Sequence, residues 1–153
     1  MISAEGVINV STEQARDWFF SLEDHPERYR FDTHNGIEFV QGNFGKVGAR
    51  FKSREKLSVL KTELLFEVTE VGETWFRLKL INPSWVDAWA TFSIQELSPD
   101  SVSLQIEIGS DTRRGQSWLK FSPVAGAVQR QITGEVEHIK ESMETTIGDD
   151  CGI

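Results

Sequence analysis

Glu55 is the residue best placed by the sequence to do chemistry. It stands in the alternating run Phe51, Ser53, Glu55, Leu57, and a period of two puts all four side chains on one face of a β-strand. Leu64, Phe66 and Val68 repeat the same period on the next segment. Pairing Leu57 with Thr62 sets Phe51, Ser53 and Glu55 beside Val68, Phe66 and Leu64 on one apolar face. A carboxyl group in such surroundings has its pKa raised by desolvation and can serve as a general acid or base. The competing arrangement is a bulge or twist that carries Glu55 to the mouth of the interior, where it is solvated. Glu70, at the end of its strand, is expected at the rim.

Other chemistries lack the patterns they need. Gly42, Gly45 and Gly48 surround Lys46, but a phosphate loop requires Gly-Lys-Ser/Thr opening a helix, so that backbone amides converge on the anion. Here Lys46 runs into Val47 and a strand, which predicts a glycine-assisted hairpin turn able to flex over a pocket. His25, His34 and His138 fall at no ligand spacing, so neither a metal nor a cofactor is expected. No Gly-x-Ser-x-Gly elbow occurs and Cys151 has no neighbouring histidine, which leaves covalent catalysis without support. Arg50, Lys52, Arg54 and Lys56 alternate on one strand face. Glu63 and Glu67 are predicted opposite Lys56 and Lys52, and Glu38 also opposite Lys52, so the stripe reads as a charge-paired outer face. Sixteen basic against 24 acidic residues leave a net charge of −8, and such a chain repels the nucleic-acid backbone and anionic lipid surfaces.

The elements that must position these residues follow from periodicity. Ile2, Ala4, Gly6, Ile8 and Val10 alternate as a strand with one buried face. Ser11 and Gln14 have capping-box spacing ahead of Ala15, Trp18, Phe19 and Leu22, predicting a helix over 12–22. Pro26 opens a helical turn or two. From 35 to 110 the period stays at two, with turn signals at Gly42 to Gly48, Gly72, Asn82-Pro83 and Ser98-Pro99-Asp100, which gives five or six strands in a meander. Phe66 and Val68 are expected inward beside Leu80 and Leu78, with Val71 opposite Trp75. A three-residue hairpin over Ser98–Asp100 matches Phe92 and Ile94 to Ile106 and Leu104.

Ser122-Pro123 then starts a long amphipathic helix whose stripe is Val124, Val128, Ile132, Val136, Ile139, Met143 and Ile147. His138 is expected to flank that stripe. Residues 1–147 therefore read as one α+β domain, with 148–153 a tail after a helix stop at Gly148. The lone thiol allows no internal disulfide, Met1 to Val10 lacks the form of a signal peptide, and no stretch reaches membrane-spanning length. A cytosolic chain without integral membrane association is expected.

This order, one strand, two short helices, a run of antiparallel strands and a long terminal helix, resembles the START-like or Bet v 1-like superfamily, which includes the polyketide cyclase/dehydrase and lipid transport group. The residues that carry the resemblance are Ile8-Asn9-Val10-Ser11 running into Glu13 and Trp18, Val47-Gly48-Ala49-Arg50-Phe51, Phe92-Ser93-Ile94, and Val136, His138, Ile139, Lys140 and Glu141 on the last helix. The resemblance covers nearly the whole chain. It implies a helix-grip fold, a curved antiparallel sheet of six to seven strands wrapped around the C-terminal α-helix, with a small hydrophobic ligand held between them. It also implies that a cofactor-independent cyclisation, dehydration or hydrolysis is carried out there in some members.

On that basis Phe51, Ser53, Leu64 and Phe66 would line the ligand space from adjacent strands. Phe76, Leu78, Phe92, Leu104 and Ile106 would continue the wall, facing Val128, Ile132 and Val136. For each aromatic, plain core packing competes with ligand contact. Trp85, after Asn82-Pro83-Ser84, and Trp118, before the last helix, are candidates for a pocket entrance or a subunit contact, which makes a homodimer one expected assembly. Arg113 and Arg114 beside Trp118 read as a solvated loop pair.

Overall fold

Among its described residues the chain has eight strands, three α-helices and a 3-10 turn in a computed structural model. The structure describes the backbone of residues 1–31, 34–42, 44–57, 60–84, 86–121 and 123–151. Side chains are described within these ranges except at 30, 31, 34, 35, 55–57, 60–62, 118, 121, 123, 124 and 147–151.

β1 (Ile2–Ile8) leads into α1 (Thr12–Phe20). The Ser11 hydroxyl accepts from Gln14 N at 3.1 Å and the Gln14 amide oxygen accepts from Ser11 N at 2.9 Å, the reciprocal capping box that the spacing predicts. A 3-10 turn over Pro26–Tyr29 follows. The two-residue β2 (Arg30–Phe31) then precedes β3 (His34–Gln41), β4 (Arg50–Leu57), β5 (Leu60–Val71), β6 (Trp75–Asn82), β7 (Trp89–Ser98) and β8 (Ser101–Gly109). These form one antiparallel sheet in the order β1-β8-β7-β6-β5-β4-β3-β2, so the meander is closed by β1 pairing on its last strand. Seven strands have seven or more residues, in line with the expected sheet.

The register departs from expectation in three places. β4 and β5 close at Leu57 opposite Leu60, so Phe51 meets Phe66, Ser53 meets Leu64 and the Glu55 backbone meets Thr62, a shift of two residues. A two-residue shift preserves which side chains face inward, but it changes the ion pairs. Arg50–Glu67 and Arg54–Glu63 lie at 3.3 Å each, in place of Lys52–Glu67 and Lys56–Glu63. Glu38 does pair with Lys52, as expected. Between β5 and β6, Phe66, Glu67 and Val68 face Leu80, Lys79 and Leu78 as expected, but an irregularity between Val68 and Glu70 sets Val71 opposite Phe76 instead of Trp75. Phe92 and Ile94 meet Ile106 and Leu104 as expected. The hairpin beyond them is not a three-residue loop, because Ser98 pairs with Ser101 and a register shift between Glu96 and Ser98 restores the parity.

α2 (Arg113–Phe121) stands where a solvated loop was expected around Arg113 and Arg114. Its start is held by groups that sequence spacing does not reveal. The Thr112 hydroxyl accepts from Gly115 N at 3.0 Å, while Asp87, from the loop after β6, accepts from Asp111 N at 2.7 Å and Ser110 Oγ at 2.9 Å. The Ser110 hydroxyl first, and the Asp111 amide next, hold the Asp87 carboxyl below its ordinary value. A carboxyl depressed in the folded state adds stability that is present above the unfolded pKa and lost as pH falls through the folded one. Asp87→Asn should therefore flatten the fall in melting temperature on acidification from about pH 5 to pH 3. Parallel acid slopes for the two proteins would contradict this role.

α3 (Pro123–Cys151) continues in helical backbone past Gly148, where a stop was expected. It packs along β1 and β8 and also reaches β4. β1 and β4 are separated by four strands in the sheet order, and a helix that runs along β1 meets both because the sheet curves around it. One flank of α3 caps the free edge of β1, an edge that would otherwise expose unpaired backbone groups. Gln129 Nε2 donates to Ser3 O at 2.9 Å, Lys140 Nζ donates to Val7 O at 3.0 Å, and Glu144 Oε1 accepts from Asn9 N at 3.0 Å. The same Asn9 amide, followed by Lys140, lowers the Glu144 pKa.

Candidate functional site

Burial on the inner face falls off along β5. Starting at Ile2, the register runs across Ile108, Ala90 and Leu78 to Val68, and Ile2, Ala90, Leu78 and Val68 are buried. The next inward positions along β5, Phe66 and Leu64, are only half-buried. α3 shows the same gradient, with Ile132, Val136, Ile139 and Met143 buried but Val128 half-buried. Gln129 is level with Ser3 near the start of β1, so Val128 lies at the end of the grip where the β5 side chains also become accessible. Of the residues expected to line a pocket, Phe51, Ser53, Phe76, Leu78, Phe92, Leu104, Ile106, Ile132 and Val136 are buried. The side chains of Glu55 and Trp118, and the whole of Trp85, lie outside the described residues. Glu55 is placed by its backbone alone, opposite Thr62 on β5 and His34 on β3.

An aromatic cluster fills the middle of this space, and it contains a ring that the sequence reading missed. Phe44, from the glycine loop after β3, is 3% exposed. It stacks on Phe76 at 4.7 Å and 14° between planes, and meets Phe51 and Phe39 edge-on at 5.0 Å each. Gly42 and Gly48 have φ of 71° and 90°, values that favour glycine, and the loop is closed by Gly48 N donating to Val68 O at 2.8 Å. The hairpin reading of the loop holds, and its function in the fold is to turn Phe44 inward. A lone phenylalanine between Gly42 and Gly45 was the available signal. Phe19 of α1 completes the cluster, with its ring 5.5 Å from Phe76 and 6.0 Å from Phe92.

The flank of α3 opposite the β1 edge is polar and mostly buried. Gln131, Glu135 and His138 recur at intervals of four and three, which places them on one side of a helix. Glu135 is 7% exposed and accepts from the Tyr29 hydroxyl at 2.6 Å. His138 Nε2 lies 2.9 Å from the Arg28 carbonyl oxygen, beside the apolar stripe as expected. Both bonds tie the 3-10 turn to α3. Gln131 is 5% exposed, and neither Nε2 nor Oε1 of its amide finds a hydrogen-bond partner among the described residues. Gln131 and Glu135 were not legible in the sequence, because a polar flank of an amphipathic helix reads as solvent-facing.

Described residues bound a groove and a crevice. A groove of about 170 Å³ lies between the 3-10 turn and β3–β4, walled by Glu27, Glu38, Lys52 and Arg54 among others. Its wall charges are of both signs, and Arg54 lies 3.5 Å from Glu38. A crevice of about 10 Å³, the space of one water, separates α1 from Phe76, Phe92 and Ile94. Among the described residues no three His, Cys, Asp or Glu side chains are grouped to hold a metal, and no helix is long and apolar enough to cross a membrane.

No family model matches the chain and no curated protein is similar to it in sequence. Solved structures are similar in fold. The Zhui aromatase/cyclase from a Streptomyces species superposes with a TM-score of 0.71 at 7% identity, covering 95% of this chain and 94% of that one. TTHA0849 from Thermus thermophilus gives 0.69 at 14% identity, covering 95% and 97%. A START superfamily protein from Mycobacterium smegmatis gives 0.65 at 16% identity, covering 97% of each.

Proposed function

We propose that this chain, whose fold is the helix grip of START-like and Bet v 1-like proteins, binds a small hydrophobic molecule, a lipid or an aromatic metabolite, between its sheet and α3. The observation that carries the reading is the gradient of burial on the inner face, from Val68, fully buried, to Phe66 and Leu64, half-buried on the same face of the same strand. Their paired neighbours Leu80, Phe51 and Ser53 are buried, so the accessible apolar surface at these two β5 side chains is what a ligand of this class would cover. Removing about 400 Å² of apolar surface from water is worth about 10 kcal/mol, and association costs of at least about 4 kcal/mol leave a Kd in the tens of micromolar.

The neutral fluorophore N-phenyl-1-naphthylamine tests this. Saturable, blue-shifted emission with one site per chain is expected, weakened by Phe66→Gln. Native mass spectrometry of freshly purified protein should also retain a small molecule. Absence of both signals would remove the reading.

A second reading, a cofactor-independent cyclase, dehydratase or hydrolase acting on the same kind of molecule, is favoured by one observation, the buried Tyr29–Glu135 pair at 2.6 Å. Buried carboxyl groups with a phenol in contact can move protons. The two readings separate on turnover. Glu135→Gln or Glu55→Gln would abolish product formation in an enzyme while sparing binding, whereas a carrier has no turnover to lose.

A further inference from the structure

We propose that Gln131 is a specificity residue inside the grip, reading a hydroxyl group on the bound molecule. This rests on the binding reading above and adds the chemistry of the ligand's polar end. Gln131 is more than nine-tenths buried, and both polar atoms of its side chain lack a partner among the described residues. Buried polar side-chain atoms are bonded in the large majority of cases, and a buried amide without partners carries its desolvation penalty uncompensated.

Its position also points to a ligand. Gln131 lies on α3 between Gln129, level with Ser3, and Val136, which packs against Gly6. This is the end of the grip where Leu64, Phe66 and Val128 are half-buried. Val128 is three residues before Gln131, so its accessible apolar surface and the amide are neighbours on the helix. One turn further on, Glu135 and Tyr29 are bonded to each other at 2.6 Å and bound the flank on that side.

The amide offers two N–H donors and one acceptor oxygen. A hydroxyl carries both a donor and an acceptor, so one such group can bond Oε1, Nε2 or both. A hydrocarbon satisfies neither atom, and a carboxylate, which only accepts, leaves Oε1 unpartnered. The ligand class that fits is a largely apolar ring or chain bearing a hydroxyl at the end that enters beside α3.

The test compares two probes of nearly equal shape, 2-naphthol and 2-methylnaphthalene, on the wild-type chain and on Gln131→Met. The wild-type chain is expected to prefer 2-naphthol. Gln131→Met should weaken 2-naphthol about five- to tenfold, the effect of one hydrogen bond, and leave 2-methylnaphthalene unchanged or tighter. An equal loss for both probes, or no loss for either, overturns the assignment. Binding of 2-methylnaphthalene without any preference for 2-naphthol would overturn the subsite and leave the binding reading standing. Binding of neither probe to the wild-type chain overturns both.

The ligand-free protein gives an independent readout. Replacing an orphaned amide by a side chain of similar volume should raise the melting temperature by about 2–4 °C. A fall would mean that the amide is already satisfied, and the proposal would then be wrong.

Discussion

Phe44→Ala is expected to lower stability by about 3 kcal/mol while raising the affinity for N-phenyl-1-naphthylamine several-fold. Truncating a buried phenylalanine removes its transfer free energy and leaves a void, together about 3–5 kcal/mol. Phe44 has the contacts to belong in that range, because its face stacks on Phe76 and its ring meets Phe51 and Phe39 edge-on. Its origin in a loop puts the cost at the lower end, since the loop can relax into part of the space. The gain in affinity follows from the same geometry. Phe51 and Phe76 belong to the inner wall of the proposed ligand space, and the vacated volume adjoins them. Urea denaturation and a fluorescence titration measure the two effects separately. A stability loss under about 1 kcal/mol, well below the usual range for such a truncation, would show that the loop collapses onto the sheet, and the affinity should then not rise.

Gly6→Val should cost about 2 kcal/mol and be partly rescued by Val136→Ala. A Cβ built on Gly6 would stand 2.8 Å from Val136 Cγ1, closer than side-chain carbons approach. Val136 cannot easily turn aside, because a β-branched residue in a helix is held close to one rotamer. It is also buried beside Ile132 and Ile139. Overpacking of this kind costs about 1–3 kcal/mol, offset by up to about 1 kcal/mol from valine's preference for strands. The strain would fall on the seam where Gln129, Lys140 and Glu144 cap the edge of β1. A double-mutant cycle is the deciding measurement. Strictly additive effects would show that the helix does not hold Gly6 small.

Much of the fold was legible because its signals are local. The capping box at Ser11 and Gln14, the period of two from 35 to 110, and the stripe of Ile132, Val136, Ile139 and Met143 each depend on residues a few positions apart. Parity survived even where the offset did not. The β4–β5 pairing is two residues from the expected one, yet Phe51, Ser53, Leu64 and Phe66 share the expected face, because hydrophobic alternation specifies a face and loop length specifies the offset. α2 was missed because its start depends on Asp87, more than 20 residues upstream, and because Gly115 in its first turn weakens the helical signal.

The sequence by itself thus determined most of the elements, with α2 and β2 the exceptions, and their inward faces and order, an order whose resemblance to START-like proteins implied the helix-grip architecture. Tertiary structure alone decided which polar groups became buried. Gln131 and Glu135 sit on a flank of α3 that any helical pattern assigns to solvent. Glu135 is enclosed where the 3-10 turn, with Tyr29, lies against that flank, and Gln131 is buried one turn before it. Phe44 belongs to a loop, where periodicity carries no information about direction, and two positive-φ glycines turn it inward. Curvature and loop direction arise from contacts between residues far apart in the chain, so a local pattern cannot contain them.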